Sequence, residues 1–427
     1  MPHLIVFSHL RWNFVFQRPQ HLLTRLARHY PVVFVEEPMR SDGPARLERS
    51  RPAPGVEVLC PHTPVDAGGF HDDQLPALEA LLAGYLAEQR IDDCVAWFYT
   101  PMALPLLAEL RPRAVVYDCM DELAAFKDAP RQMRQRETAL LKTAQVVLTG
   151  GPSLYEAKRA LHPHVLCLPS AVDADHYAAA NALAQEAPMR RAAELQQAIG
   201  RPRLGFFGVI DERLDLGLLA ELADAQPGWQ VVMVGPVAKI GRERLPQRPN
   251  IHWLGQQPYA ILPQLVAGWD VCLMPFAIND ATRYISPTKT LEYMAAGKPV
   301  VSTPVRDVKA MFSDVVRIAG DAGGFIQACR DALAEAPHAR SERLAEMQAC
   351  VWRYSWDETA AAVHRTIEDA LARAPRASAA AAPPAGDDGV ADPAAMRLPV
   401  STALARAGAP GAVTLPAADP DLKVASA

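Results

Sequence analysis

The stretch Ser286-Pro287-Thr288-Lys289-Thr290-Leu291-Glu292-Tyr293-Met294-Ala295-Ala296-Gly297-Lys298-Pro299-Val300-Val301-Ser302-Thr303 reads as a short helix running directly into a buried strand. Ser286 suits an N-cap, and Pro287 suits the first helical position, where its missing N–H would lack a partner anyway. Leu291, Met294 and Ala295 form the apolar stripe. Gly297 supplies the left-handed residue past the end, and Pro299 forbids continuation. Lys289 then falls at the third helical position, where a capping box places Glu or Gln. A cation in the first turn opposes the helix dipole and costs roughly 0.3–1 kcal/mol. That cost makes sense where an anion settles among the unpaired N–H groups. Glu292 shares the same face about one turn, ~5 Å, further on. An anion-binding end beside a hydroxyl-binding carboxylate matches the layout of a nucleotide diphosphate and its ribose. The same two residues also suit a solvated i,i+3 ion pair on an ordinary surface helix.

Outward from this stretch, the carboxyl-terminal half alternates strands and helices. Leu204–Phe207, Val231–Val234, Ile251–Leu254, Val271–Met274 and Pro299–Ser302 read as strands. Leu214–Ala223, Tyr259–Ala267, Thr288–Ala296 and Phe325–Ala334 read as helices between or after them. The amino-terminal half repeats the pattern with apolar runs at Leu4–Phe7, Val32–Val35, Val95–Tyr99, Ala114–Tyr117, Val146–Thr149 and Val165–Leu168. Short continuous apolar runs mark parallel strands buried on both faces. The reading is therefore α/β, with two Rossmann-like doubly wound parallel sheets facing a cleft. The first βα turn, Ser8–Gln17, holds no glycine, so it is not a dinucleotide fingerprint, and Glu36 and Glu37 after the second run are discounted as a ribose acid. Beyond the strand ends lie His9, Arg11 and Trp12, then Tyr99 and Thr100, Asp118 and Asp121, and Gly150, Gly151 and Ser153. Ligands bind at that rim in doubly wound sheets. His9 and Asp121 are the candidates for polar roles there.

The chain has 427 residues, half of them hydrophobic, and a net charge of −5, which argues against nucleic acid as a partner. Its 7 cysteines are scattered with no C-x-x-C pair, as in a reduced, cytoplasmic protein. No signal peptide and no 18-residue apolar span is legible, so any membrane contact is expected to be peripheral, at the inner face. No D-x-D motif or histidine cluster argues for a metal. From about Ala374 the sequence becomes Ala/Pro-rich with almost no aromatics, the composition of a disordered tail.

The Ser286–Thr303 stretch resembles the donor-site helix of GT-B glycosyltransferases, especially the retaining family 4, and the chain over roughly residues 3 to 370 resembles a bacterial teichuronic-acid-type subgroup. Glu292 corresponds to the second Glu of that family's Glu-x7-Glu motif. The first falls on Tyr284, a departure for which Asp280 is the substitute candidate. Pro169-Ser170-Ala171-Val172-Asp173 with Tyr177 resembles the stretch closing the family's first domain, with Ser and Ala in place of Asn and Gly. Gly205-Phe206-Phe207-Gly208 resembles its glycine-rich turn, and Arg213 is the basic residue that follows it; an arginine paired to Glu212 or Asp215 is the plainer alternative.

The resemblance implies sugar transfer from a nucleotide sugar, UDP- or GDP-linked, to a saccharide or lipid-linked acceptor. It implies retention, with no metal and no resident cofactor. Lys289 and Arg213 would hold the departing diphosphate, and Glu292 the ribose. Ser286, Pro287, Thr288 and Gly208 would line the donor, and Arg283 and Tyr284 would cover its sugar. Gly235-Pro236 and Gly255 to Tyr259 would line base and ribose, and Lys239 would add a phosphate or acceptor contact. The expected organisation is an acceptor domain over 1–180, a linker over 181–200, a donor domain over 201–350, a helix crossing back over 351–373 and the tail over 374–427. A GT-B-like nucleotide-sugar epimerase and a non-catalytic two-lobed sugar-binding protein remain as alternatives.

Overall fold

The computed structural model describes residues 1–126, 129–178 and 187–373. The expected tail from 374, and residues 181–186 of the expected linker, lie outside the described residues. The first sheet contains β1 (His3–Ser8), β2 (Val32–Glu36), β3 (Met39–Arg40), β4 (Arg46–Ala53), β5 (Val56–Thr63), β6 (Cys94–Phe98), β7 (Ala114–Cys119), β8 (Val146–Thr149) and β9 (Val165–Cys167). Its order is β3-β5-β2-β1-β6-β7-β8-β9, with β4 added antiparallel on β5. The second sheet holds β10 (Arg203–Phe207), β11 (Gln230–Val234), β12 (Ile251–Trp253), β13 (Val271–Met274), β14 (Val300–Ser302) and β15 (Arg317–Ile318). It is parallel throughout, in the order β12-β11-β10-β13-β14-β15.

In both sheets the chain winds outward from the first strand in each direction. The reversal leaves a crevice beyond the carboxyl ends of β1 and β6, and another beyond β10 and β13. Strands β1 and β10 are buried at every position after the first, as their continuous apolar runs require. Strands β3 to β5 and β15 were not legible in the sequence. Arg46–Ala53 reads Arg-Leu-Glu-Arg-Ser-Arg-Pro-Ala, mostly exposed, because it edges the sheet and buries little. Two-residue strands carry no periodicity at all.

One face of the first sheet buries Ile5 and Phe7, and the other Leu4 and Val6. The helix Trp356–Arg373 returns to that second face and packs Val363, Ile367, Ala370 and Leu371 against it. Ser355 Oγ accepts from the Asp357 N–H at 3.1 Å and so caps this helix, as its position in the sequence suggests. The helix Ala187–Gln196 places Ala192 in the core of the second sheet.

Candidate active site

Three glycine turns stand side by side at the carboxyl ends of β10, β11 and β12. Gly208, Gly235 and Gly255 have φ of +142°, +147° and +67°, conformations that favour glycine. The Gly208 N–H donates to Val234 O at 2.9 Å, and the Gly235 N–H to Gly255 O at 2.8 Å. A Cβ on Gly235 would lie 1.8 Å from Gly208 O, so the two main chains touch. A Cβ on Gly208 would lie 2.9 Å from Lys289 Cε and 3.3 Å from its Nζ. The lysine therefore reaches across the first glycine turn.

The helix bearing Lys289 runs Lys289–Ala295, with Thr288 as a helical N-cap that makes no side-chain cap bond. This corrects the expected cap. Ser286 does not cap the helix, and Lys289 occupies its first position rather than its third. The reason is tertiary. Ser286 packs against Gly151 of the first sheet's domain, where a Cβ would meet Ser286 Cβ at 2.6 Å. At the other end the sequence reading holds: Gly297 has φ of +69° and the Lys298 N–H donates to Tyr293 O at 3.0 Å. Among the described residues, the N–H groups of Ser286, Thr288 and Lys289 find no acceptor.

Lys289 makes no ion pair among the described residues. Its ammonium lies 5.6 Å and 5.5 Å from the ring centroids of Phe206 and Phe276. Burial, and then the neighbouring Arg213, push its pKa below that of an ordinary lysine; Glu292, Asp211 and Asp121 oppose the shift. Glu292 is only 7% exposed and is held above the usual carboxylate range by burial, with Lys289 and Tyr177 pulling it down. Tyr177 and Tyr259 both stand near this carboxylate, and both hydroxyls are buried, with no partner in good hydrogen-bond geometry among the described residues. Their nearness to Glu292 was not read from the sequence. Tyr177 carried a signal only as the end of the domain-closing stretch.

Arg213 is held differently from either expected pairing. Its Nε lies 2.9 and 3.0 Å from the two Asp211 oxygens and its Nη2 2.7 Å from one of them, while Asp211 is 2% exposed. Asp215 instead caps the helix Leu216–Ala225 by accepting from the Leu218 N–H at 2.9 Å. One side of the Arg213 guanidinium is thus neutralised by the protein, and Nη1 makes no hydrogen bond among the described residues.

The first sheet's rim faces these cations. Phe126 lies under both, 4.4 Å from Lys239 Nζ and 5.8 Å from the Arg213 guanidinium. Asp121 is pushed up to about 6 by burial, against the pull of Arg213 and Lys239. His9 is lowered to about 4 by burial and by Lys239, and its Nδ1 is buried without a partner. The structure so brings His9, Asp121, Lys239, Arg213 and Lys289 to one cleft. Asp118 is withdrawn from it, paired with Arg18, and Glu36 is taken by Arg11 and the Trp12 N–H. Tyr284 leans into the first sheet's core, with Arg283 exposed and stacked on its ring at 5.3 Å. Pro287 and Thr288 are half-buried, and Asp280 is exposed on the turn 280–282. Grooves lined by His3, Arg51 and Glu57, and by Arg201, Asp270 and Arg330, lie at the amino ends of strands and hold none of these residues. No group of three or more His, Cys, Asp or Glu among the described residues is placed to hold a metal ion. No helix among them is long and apolar enough to cross a membrane.

Residues 201–336 match the family described as "Glycosyl transferases group 1". The chain is 28% identical over 258 residues to TuaH of Bacillus subtilis (strain 168), which bears the name of a teichuronic acid biosynthesis glycosyltransferase. The match takes in 57% of this chain and 64% of that protein, so the chain spans less than two thirds of its length. Among solved structures, sucrose-phosphate synthase from Thermosynechococcus elongatus is similar with a TM-score of 0.68 at 16% identity, covering 87% of this chain and 100% of that one. Anabaena HepE, solved in complex with UDP and glucose, has a TM-score of 0.63 at 14% identity, covering 86% and 100%. The fold is GT-B, with two parallel-sheet α/β domains.

Proposed function

We propose, from a second sheet that matches the group 1 glycosyl transferases, that the protein moves a sugar from a nucleotide-sugar donor to a saccharide or lipid-linked acceptor. The observation that carries this reading is Lys289, a cation that pairs with no carboxylate among the described residues and lies across the Gly208 turn beside N–H groups that find no acceptor among them. A diphosphate seated there would meet the ammonium, the free Nη1 of Arg213 and closely approachable glycine backbone. Glu292, with Tyr177 and Tyr259 beside it, would take the ribose hydroxyls.

Transfer is proposed to retain the anomeric configuration and to need no metal. The acceptor oxygen bonds to the anomeric carbon as the bond from that carbon to the diphosphate breaks, and the acceptor proton passes to a diphosphate oxygen. Lys289 and Arg213 stabilise the leaving charge as it develops. His9 and Asp121 face the cations from the acceptor side and orient the hydroxyl. The surface-polysaccharide role is a proposal drawn from the name of the Bacillus relative, and a cytoplasmic site with peripheral membrane contact fits a lipid-linked acceptor.

A thermal-shift panel of nucleoside diphosphates and nucleotide sugars tests the reading. Stabilisation by one base's diphosphate and sugar conjugate is expected, followed by turnover that depends on an acceptor. Donor breakdown with no acceptor dependence would favour an epimerase, and no stabilisation by any nucleotide would sink the donor site.

A further inference from the structure

The two domains also meet away from the cations, at the start of the helix Pro152–Lys158. The Ser153 N–H, one of that helix's unpaired donors, gives its hydrogen bond to Asp307 Oδ1 of the second domain at 3.0 Å. Gly151, the residue before the helix, leaves no room for a side chain. A Cβ there would sit 2.2 Å from Asp307 Oδ2 and 2.6 Å from Ser286 Cβ. Gly151 has φ of −176°, extended backbone that any residue adopts, so its smallness serves this contact and not its own conformation.

The contact is incompletely satisfied. Asp307 Oδ2 and Ser153 Oγ are both buried there, close to one another but, among the described residues, without a partner in good hydrogen-bond geometry. Separation would let water reach both atoms, and would uncap the Ser153 N–H. Gains and losses on the two sides are of the same kind, as a junction that opens and closes requires. Ser286 is three residues before Lys289, so the junction fixes the start of the segment that carries the proposed donor cation.

We propose that Gly151 and Asp307 are positioning residues: a carboxylate of the donor domain caps a helix of the acceptor domain and thereby sets the Ser286–Lys289 segment against the acceptor rim. The proposal rests on the donor-site reading above for its effect on turnover, but not for the contact itself. Donor held by the second domain alone would still bind when the junction is broken. Transfer to an acceptor on the other domain would fail, because a displacement of about 1 Å can cost on the order of 100-fold in rate.

The test uses the full chain with Gly151→Ala, Asp307→Ala and Asp307→Asn. Three quantities are measured: amide hydrogen exchange of the segment Gly150–Lys158, affinity for uridine and guanosine diphosphate, and acceptor-dependent turnover. Gly151→Ala and Asp307→Ala should each speed exchange of the Ser153 amide by about tenfold or more. Gly151→Ala should lower kcat on the order of 100-fold, with diphosphate affinity held within about twofold. Asp307→Asn keeps an acceptor oxygen and should restore both protection and turnover. Wild-type exchange in Gly151→Ala and Asp307→Ala would overturn the proposal. So would a loss of diphosphate affinity as large as the loss of turnover, which marks a damaged donor domain. If the wild-type protein binds no nucleotide, the donor reading falls while the exchange measurement still decides the junction.

Discussion

Arg18 and Asp118 beneath the rim of the first sheet, and Lys289 and Glu292 at the rim of the second, are both cation–carboxylate sets at the carboxyl ends of strands. The protein treats them in opposite ways. Arg18 Nε lies 3.1 and 3.0 Å from the two oxygens of Asp118, the side chains are 1% and 0% exposed, and Arg18 Nη1 donates to Leu168 O at 2.8 Å. Lys289 and Glu292 are one turn apart on one helix, yet no ion pair joins them. A buried charge costs several kcal/mol unless something compensates it. In the first sheet the fold supplies the compensation, leaving only Arg18 Nη2 without a partner among the described residues, and the pair is structural. In the second no such pair forms among the described residues, burial shifts both groups toward their neutral forms, and under the proposed function the donor diphosphate supplies the missing partner.

Substitutions break or sharpen that contrast. The largest effect expected is on stability from Arg18→Ala, which leaves Asp118 buried and alone and should cost about 3–5 kcal/mol in urea unfolding. Arg18→Met combined with Asp118→Leu should recover most of it, since two apolar groups leave no buried charge, only Leu168 O without its donor. A stable Arg18→Ala protein would remove the distinction between the two pairs. Lys289→Gln should act the other way, with turnover reduced on the order of 100-fold or more and folding stability altered by no more than about 1 kcal/mol. Full turnover in that variant would make Lys289 an ordinary surface residue.

Glu292→Gln should weaken ribonucleotide donor binding by about 1.5–3 kcal/mol, the worth of a hydrogen bond to a charged group. Titration calorimetry with a deoxyribose analogue tells the source, because the analogue should lose less in the variant than in the wild type. Equal losses would mean that Glu292 does not read the ribose. The smallest effect concerns Asp121, whose carboxyl titrates near 6 in the folded chain and near 3.8 when unfolded. The folded state holds the proton over that window, so this contribution to stability is complete below about pH 4 and is lost as pH rises through about 6. Asp121→Asn should flatten that part of the stability–pH curve. It should also abolish an acidic limb near pH 6 in turnover if the ionised carboxylate orients the acceptor. An unchanged pH profile would leave Asp121 without an acceptor role.

The residues of the site were legible to different degrees, for physical reasons. Lys289 and Gly297 stood out because each answers to a local rule of helix ends. The helix starts later than its sequence suggests, so Lys289 stands at its first position, and its side chain lies against Gly208. Arg213 was legible as a cation but not as one already half-paired, because Asp211 lies only two residues away and pairing depends on side-chain direction. Asp118 and Asp121 both fell beyond the same strand end in the sequence, and Asp121 was the one singled out for a polar role. Only the fold buries one against Arg18 and turns the other toward Lys239.

By itself the sequence determined the two parallel sheets, since a strand buried on both faces must be apolar along its whole length, and such runs need no partner to be recognised. The helix that returns to the first sheet was expected over 351–373 from the family resemblance, and it runs Trp356–Arg373. Which charges find a partner within the fold was set by tertiary packing. That is a question of what lies within hydrogen-bond reach across the chain, such as Arg18 with a carboxylate 100 residues away or Ser153 with one 154 residues away. Local propensity is blind at that separation, because the pairing is set by the packing of elements and not by the residues between them.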